Sequence, residues 1–268
     1  MFVSELSERI IRLLAFSPAQ QTFIGNSGEV VSLGILTDNN LSPGLYTVAM
    51  ENAFMGDQSS QNILWATNSG NVEISALSQI SLKVFVEGAY QSSQMSSNLL
   101  NSGLLPLTQP FNTGPWNYAG TESLSSFPSN TVDWVLVELR DASSAESATQ
   151  ATIMAGWPKA MLLKVDGSIV EVSGNAPGLL SSSVVNQVYL VIHHRNHLSV
   201  MSSAPLLLSG NTYSYDFTDA VTKAYGGAAG YKQIGSGVYG MMAGDIDADG
   251  AVGVTDFNLW AMRFGLTN

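Results

Sequence analysis

The residues best placed to do chemistry lie near the C-terminus, in Asp245-Ile246-Asp247-Ala248-Asp249-Gly250-Ala251-Val252-Gly253-Val254-Thr255-Asp256. Carboxylates fall at positions 1, 3, 5 and 12 of this segment, with Gly250 at position 6. A hard divalent cation wants roughly six to eight oxygens, and this EF-hand spacing supplies them. Alternate side chains turn inward, glycine permits the sharp bend, and Ala251 offers its backbone carbonyl at position 7. Asp256 closes the site from the first turn of a helix expected over 255–264, which carries Phe257, Leu259, Trp260 and Phe264 for packing. The expected ligands are therefore Asp245, Asp247, Asp249, Ala251 and Asp256. The expected cation is Ca2+, pinning the C-terminal helix to the body of the fold.

All three histidines fall within His193-His194-Arg195-Asn196-His197. Along a strand, His193, Arg195 and His197 share one face, and His194 and Asn196 share the other. A zinc site would use His193 and His197 with a carboxylate. The competing expectation is a buried hydrogen-bonded network of Arg195, Asn196 and His197 near a strand end. The absence of an HExxH or comparable motif favours the network. Glu138 and Asp141 offer a carboxylate pair of the kind used in glycoside hydrolysis. Glu138 sits in an otherwise apolar strand, however, where pairing with Arg140 or Arg195 is the simpler expectation. No GxSxG, Walker or Rossmann fingerprint occurs, and a non-enzymatic protein is expected.

These groups need a scaffold, and composition constrains it. The chain has 268 residues, 45% hydrophobic and 12% charged, with 25 glycines, which suits a β-rich domain with small appendages. Ten Lys and Arg face 21 Asp and Glu, a net charge of −11. Such a surface repels a phosphate backbone, so no nucleic-acid partner is expected, and it leaves room for cations. There are no cysteines, which excludes disulfides, thiolate zinc sites and cysteine nucleophiles. No long apolar run predicts a membrane span, and the first residues lack the basic region of a signal peptide.

Residues 4–16 read as a short amphipathic helix capped by Ser4 or Ser7, with Leu6, Ile10, Leu13 and Leu14 on one face and Pro18 ending it. Short strands are expected over 30–36, 45–50 and 62–67. From residue 79 the pattern sharpens, with strands over 81–90, 132–141 and 211–218 and one or two more over 188–203. A hairpin over 160–172 turns at Asp166-Gly167. The Pro- and Gly-rich segment 104–120 brings Phe111, Trp116 and Tyr118 over one end, where Trp116 and Tyr118 are also candidates to stack on sugar faces. The expected fold is mainly β: an antiparallel β-sandwich, jelly-roll or Ig-like, with a short N-terminal helix and a C-terminal calcium loop and helix. Its expected divisions are 1–78, 79–242 and 243–268.

The segments LKVFVEGAY, LPLTQPFNTGPWNYAGTES, VDWVLVELRD, VIHHRNHLSVMS, YSYDFT and GVYGMMAGDIDADG follow one another over residues 81–268. Together they resemble a module of large secreted and cell-surface proteins of Bacteroidetes-type bacteria, found in adhesin-like and hemagglutinin-like contexts. With Asp at position 12, the loop resembles a dockerin repeat. Dockerins carry two such repeats and bind cohesin modules, and one repeat is visible here. The resemblance implies a non-catalytic surface module. Its bacterial carriers have a secretion signal and usually a following sorting domain, and neither is read here. The expected setting is therefore a bacteriophage virion surface, as a spike or fibre. Residues 1–78 would attach to a capsid or penton protein, and the remainder would face a host surface receptor, a glycan among the candidates. A homo-oligomer, with a trimer as the guess, is expected. The alternative is a bacterial secreted or cell-surface adhesion module, or a glycan-binding accessory domain.

Overall fold

The computed structural model describes residues 2–7, 10–14, 42–55, 61, 64, 67–74, 77–180 and 183–264. It divides into two compact units, Met1–Ser75 and Ala76–Asn268. The second unit starts before residue 79 because its first strand begins at Leu77, and it includes the loop and helix expected as a separate division.

In the first unit, β1 (Phe2–Ser7) and β2 (Ile10–Leu14) pair antiparallel, with Val3 opposite Leu13. The helix expected over 4–16 is thus corrected to a hairpin. The apolar spacing at Leu6, Ile10 and Leu13 fits a helix, but so short a helix is marginal alone. The β-branched Val3, Ile10 and Ile11 favour extended backbone. A second ribbon pairs β3 (Gly44–Val48) with β4 (Gly70–Ile74), close to the strand expected over 45–50. The candidate strand over 30–36 lies outside the described residues. Of 62–67 only Leu64 and Thr67 are described, and neither is in a strand.

The second unit is built from β5 (Leu77–Lys83), β6 (Tyr90–Gln91), β7 (Gln94–Met95), α1 (Asn98–Asn101), β8 (Thr131–Ala142), β9 (Lys159–Lys164), β10 (Ile169–Val170), β11 (Gly178–Leu180), β12 (Gln187–His194), β13 (His197–Met201), β14 (Leu207–Ser209), β15 (Thr212–Asp216), β16 (Tyr231–Gly235), β17 (Val238–Met241) and α2 (Val254–Arg263). One sheet has the order β10-β9-β8-β12-β13 and is antiparallel throughout. The other runs β11-β5-β15-β14. Its central pair, β5 and β15, is parallel, so the all-antiparallel expectation holds for the first sheet and not for the second. No hairpin joins β5 to β15, and nothing in their connection imposes an antiparallel pairing.

Both sheets feed one core. Ile80 and Leu82 of β5 and Tyr213 of β15 cluster with Val135, Val137 and Leu139 of β8 and with Leu190 and Ile192 of β12. Strand β8 lies mid-sheet and is buried on both faces. Its other face sends Trp134 and Leu136 into a second cluster with Phe111, Ala160 and Leu162. Trp116, Tyr118, Leu124 and Phe127 pack over that cluster, so the irregular segment covers a sheet face rather than an end. The ring of Trp116 meets Phe111 edge-on at 5.1 Å, and Trp134 Nε1 donates to the Pro106 carbonyl at 2.8 Å. Trp116 and Tyr118 are therefore core-covering side chains.

The hairpin over 160–172 forms as the Asp-Gly signal predicts, with Leu163 opposite Ile169. Asp166 Oδ1 accepts both the Ser168 N–H (3.0 Å) and its hydroxyl (2.6 Å). Gly167 takes φ +87, and a Cβ there would meet the Val84 carbonyl oxygen at 2.9 Å, so the turn needs glycine for both conformation and space. No helix among the described residues is long and apolar enough to cross a membrane. Helix α2 forms where the loop spacing places it, but its aromatics do not anchor it: Phe257, Trp260 and Phe264 are exposed and stack on one another, 5.9 and 4.8 Å between successive rings.

Candidate metal centre

Residues 245–256 curl because two of them, Ala248 (φ +57) and Gly250 (φ +87), take the left-handed conformation. Carboxylate oxygens of Asp245, Asp247 and Asp249 thereby come within 4.8 Å of one another. The loop holds itself in register with its own N–H groups. Asp249 donates to Asp247 Oδ1 at 3.2 Å, and Ala251 donates to Asp249 Oδ1 at 2.9 Å. Asp245 is buried at 2% exposure, and its Oδ1 has no hydrogen-bond partner. A buried, unmet carboxylate oxygen is costly unless a cation or donor reaches it.

Asp256 stands outside the converging group, its oxygens engaged by backbone. Its Oδ1 accepts from Ile246 (2.7 Å) and Asp247 (3.3 Å), and its Oδ2 accepts from Gly253 (2.8 Å). It therefore buckles the two ends of the loop together. Ala251 joins the loop's own bonding through its N–H.

The charges differ accordingly. Burial pushes the Asp245 carboxyl above the usual range. The Gly250 N–H opposes this, and the neighbouring Asp256, Asp249 and Asp247 charges reinforce it. For Asp256 the Gly253 N–H, with those of Ile246 and Asp247, outweighs burial and holds the carboxyl low. An all-oxygen, acidic donor set suits hard cations, which would relieve the repulsion at Asp245.

The loop is rooted on a hairpin that strand periodicity misread. Strands β12 and β13 are joined by Arg195-Asn196 alone, so His194 and His197 stand opposite each other. Their rings meet edge-on at 4.6 Å, with Nδ1 to Nδ1 at 3.0 Å. His193 is elsewhere, with Nε2 3.0 Å from Glu138 Oε1 and Nδ1 2.7 Å from the Ser199 hydroxyl. The His193–His197 pair required for zinc is not brought together. The network expectation is closer to what forms, although His194 belongs to it and Arg195 turns to Asp133, which it holds by two bonds of 2.9 and 2.8 Å. His194 Nε2 lies 3.4 Å from Asp133 Oδ2, near enough for charge contact but too poorly aligned for a hydrogen bond.

Glu138 and Asp141 point to opposite faces of β8 and make no pair. Glu138 binds Arg140 at 2.6 Å as well as His193. Burial alone would raise its carboxyl, but His193 and Arg140 hold it below the usual range. Asp141 accepts the N–H groups of Val185 (2.6 Å) and Asn186 (2.8 Å). Asp133 and Glu87 were missed by sequence reasoning. Asp133 had a signal, an acid between apolar neighbours in a strand, which demands a cationic partner. No family model, curated protein or solved structure matches the chain.

Proposed function

We propose that this chain is a non-enzymatic attachment module, a β-sandwich whose C-terminal loop binds Ca2+, displayed as a spike or fibre on a virion surface. The observation that carries the cation reading is the buried Asp245 Oδ1, crowded by Asp247 and Asp249 and met by no donor. A curled loop of this kind tolerates the irregular, high coordination of Ca2+ better than the strict octahedron Mg2+ demands. The buried acids Glu138 and Asp133 are held by arginine and histidine, which supports a structural role for them rather than a catalytic one.

Attachment is supported by the resemblance of residues 81–268 and by the apolar surface of α2, where Val254, Phe257, Trp260, Met262 and Phe264 are exposed. A net charge of −11 supports a protein or glycan partner over nucleic acid. In this reading the first unit attaches to a capsid or penton protein, the second faces the host receptor, and the assembly is a homo-oligomer such as a trimer.

The cation reading is tested by thermal unfolding with and without chelator. Calcium at about a hundredfold over its Kd adds roughly 3 kcal/mol. For a domain of this size, that raises Tm by roughly 5–10 °C. Equal melting in both conditions contradicts it. The setting is tested by antibody labelling: label on purified particles supports the virion, and label confined to bacterial envelopes moves the module to a cell surface.

A further inference from the structure

Resting on the calcium reading above, we infer that the buried His194–His197 pair is the clamp that sets the loop's affinity, because it fixes the two residues from which Asp245 projects. Those residues are Ala243 and Gly244. Ala243 bridges His197 in antiparallel register, and its N–H donates to Glu87 Oε2 at 3.1 Å. Gly244 donates its N–H to the Asn196 carbonyl at 3.0 Å. One residue earlier, Met242 accepts the Leu198 N–H at 2.9 Å.

The histidines close this into a circuit. Gly88 donates its N–H to His197 Nε2 at 3.2 Å, so that nitrogen carries no proton and Nδ1 does. Nδ1 faces Asn196 Oδ1 at 2.7 Å and His194 Nδ1 at 3.0 Å. His194 Nδ1 in turn lies 3.4 Å from the Asn196 N–H, so its own proton sits on Nε2, toward Asp133. Each ring thus has one tautomer consistent with its neighbours. His197 joins both sides of the loop's root: through Gly88 it positions Glu87, which grips Ala243, and through Asn196 it positions the carbonyl that grips Gly244. A Cβ at Gly88 would sit 3.4 Å from His197 Nε2, which shows how closely the backbone approaches the ring. A carboxylate loop binds tightly only if its first ligand is held in place before the ion arrives, and groups behind the ligands commonly set affinity by ten- to a hundredfold.

His194 and His197 are positioning residues, and the test separates positioning from stability. Calcium titration calorimetry on the full chain compares His197→Leu, which loses both ring contacts, with His197→Gln, which keeps an acceptor and a donor. Val200→Ala serves as the control: it lies on the same strand, buried in the main core. Expected is a loss of at least tenfold in calcium affinity for His197→Leu, a loss within about threefold for His197→Gln, and none for Val200→Ala at comparable loss of Tm. Unchanged affinity in His197→Leu, or an equal loss in Val200→Ala, overturns the inference. If His197→Leu does not fold, amide exchange on the unmodified chain decides: calcium should slow exchange at Gly88, Leu198 and Gly244, and indifference there overturns it. If the unmodified chain takes up no calcium, the cation reading falls and this inference falls with it.

Discussion

Replacing Asp245 with Asn is expected to change the sign of its effect with calcium. In saturating calcium the variant melts below the unmodified chain, losing most of the cation's roughly 3 kcal/mol. In chelator it melts at the same temperature or higher. The reason lies in the crowding around that carboxyl, which is buried among Asp247, Asp249 and Asp256 and has an oxygen with no partner. Without an ion, its charge costs desolvation and repulsion, and the neutral amide removes both. With an ion, that same charge is the deepest ligand. Asp256→Ala is expected to behave otherwise, destabilising in both conditions, because Asp256 braces the Ile246, Asp247 and Gly253 N–H groups whether or not an ion is bound. Thermal melts of both variants in calcium and in chelator check this. An equal loss for Asp245→Asn in the two conditions assigns it a bracing role and removes it from the ligand set.

Mild acid is expected to destabilise the second unit well before its carboxylates titrate. Burial, with the His194 charge, pushes the His197 pKa down from 6.5 to about 3, and Asp133 only partly opposes this. The unfolded chain therefore binds a proton below pH 6.5 that the folded chain refuses. Stability is unaffected above that value and falls by about 1.4 kcal/mol for each unit below it, reaching roughly 2 kcal/mol by pH 5. Asp133 and Glu138 are both held low, by their own histidine and arginine partners against burial. Their stabilisation is present above their unfolded values of 3.8 and 4.5 and is lost as pH falls below them, in more acid solution than the fall expected between pH 6.5 and 5. Urea unfolding at pH 7, 6 and 5 checks this. His197→Gln, which carries no titrating ring, should lose most of the slope, and an unchanged slope in that variant refutes the assignment.

The parts of the fold that sequence made legible are those whose signals are local. Strand β8 is rich in Val, Leu and Trp, and the turn after β9 announces itself with Asp166-Gly167. The curl of residues 245–256 is written in its spacing, with Gly250 where the left-handed bend falls. The N-terminal hairpin was not legible because a dozen residues with apolar positions at Leu6, Ile10 and Leu13 satisfy a helical period while β-branched residues favour a strand. The pairing of β5 with β15 was hidden because more than a hundred residues separate them and no turn dictates register. The His194–His197 pair was missed for a local reason. The Arg195-Asn196 loop contains no glycine to mark it, so strand alternation was carried through a point where the chain reverses. Asp256 has the right spacing for a ligand, yet spacing alone does not say whether a carboxylate faces an ion or the backbone of its own loop.

Whether Asp245, Asp247 and Asp249 hold a calcium ion decides the reading of this chain. That is tested most directly by a crystal structure of the chain grown in calcium, with anomalous differences recorded. One peak per chain is expected, roughly 2.3–2.6 Å from an oxygen of each of the three aspartates. Calcium in the crystals with no peak among these carboxylates would contradict it.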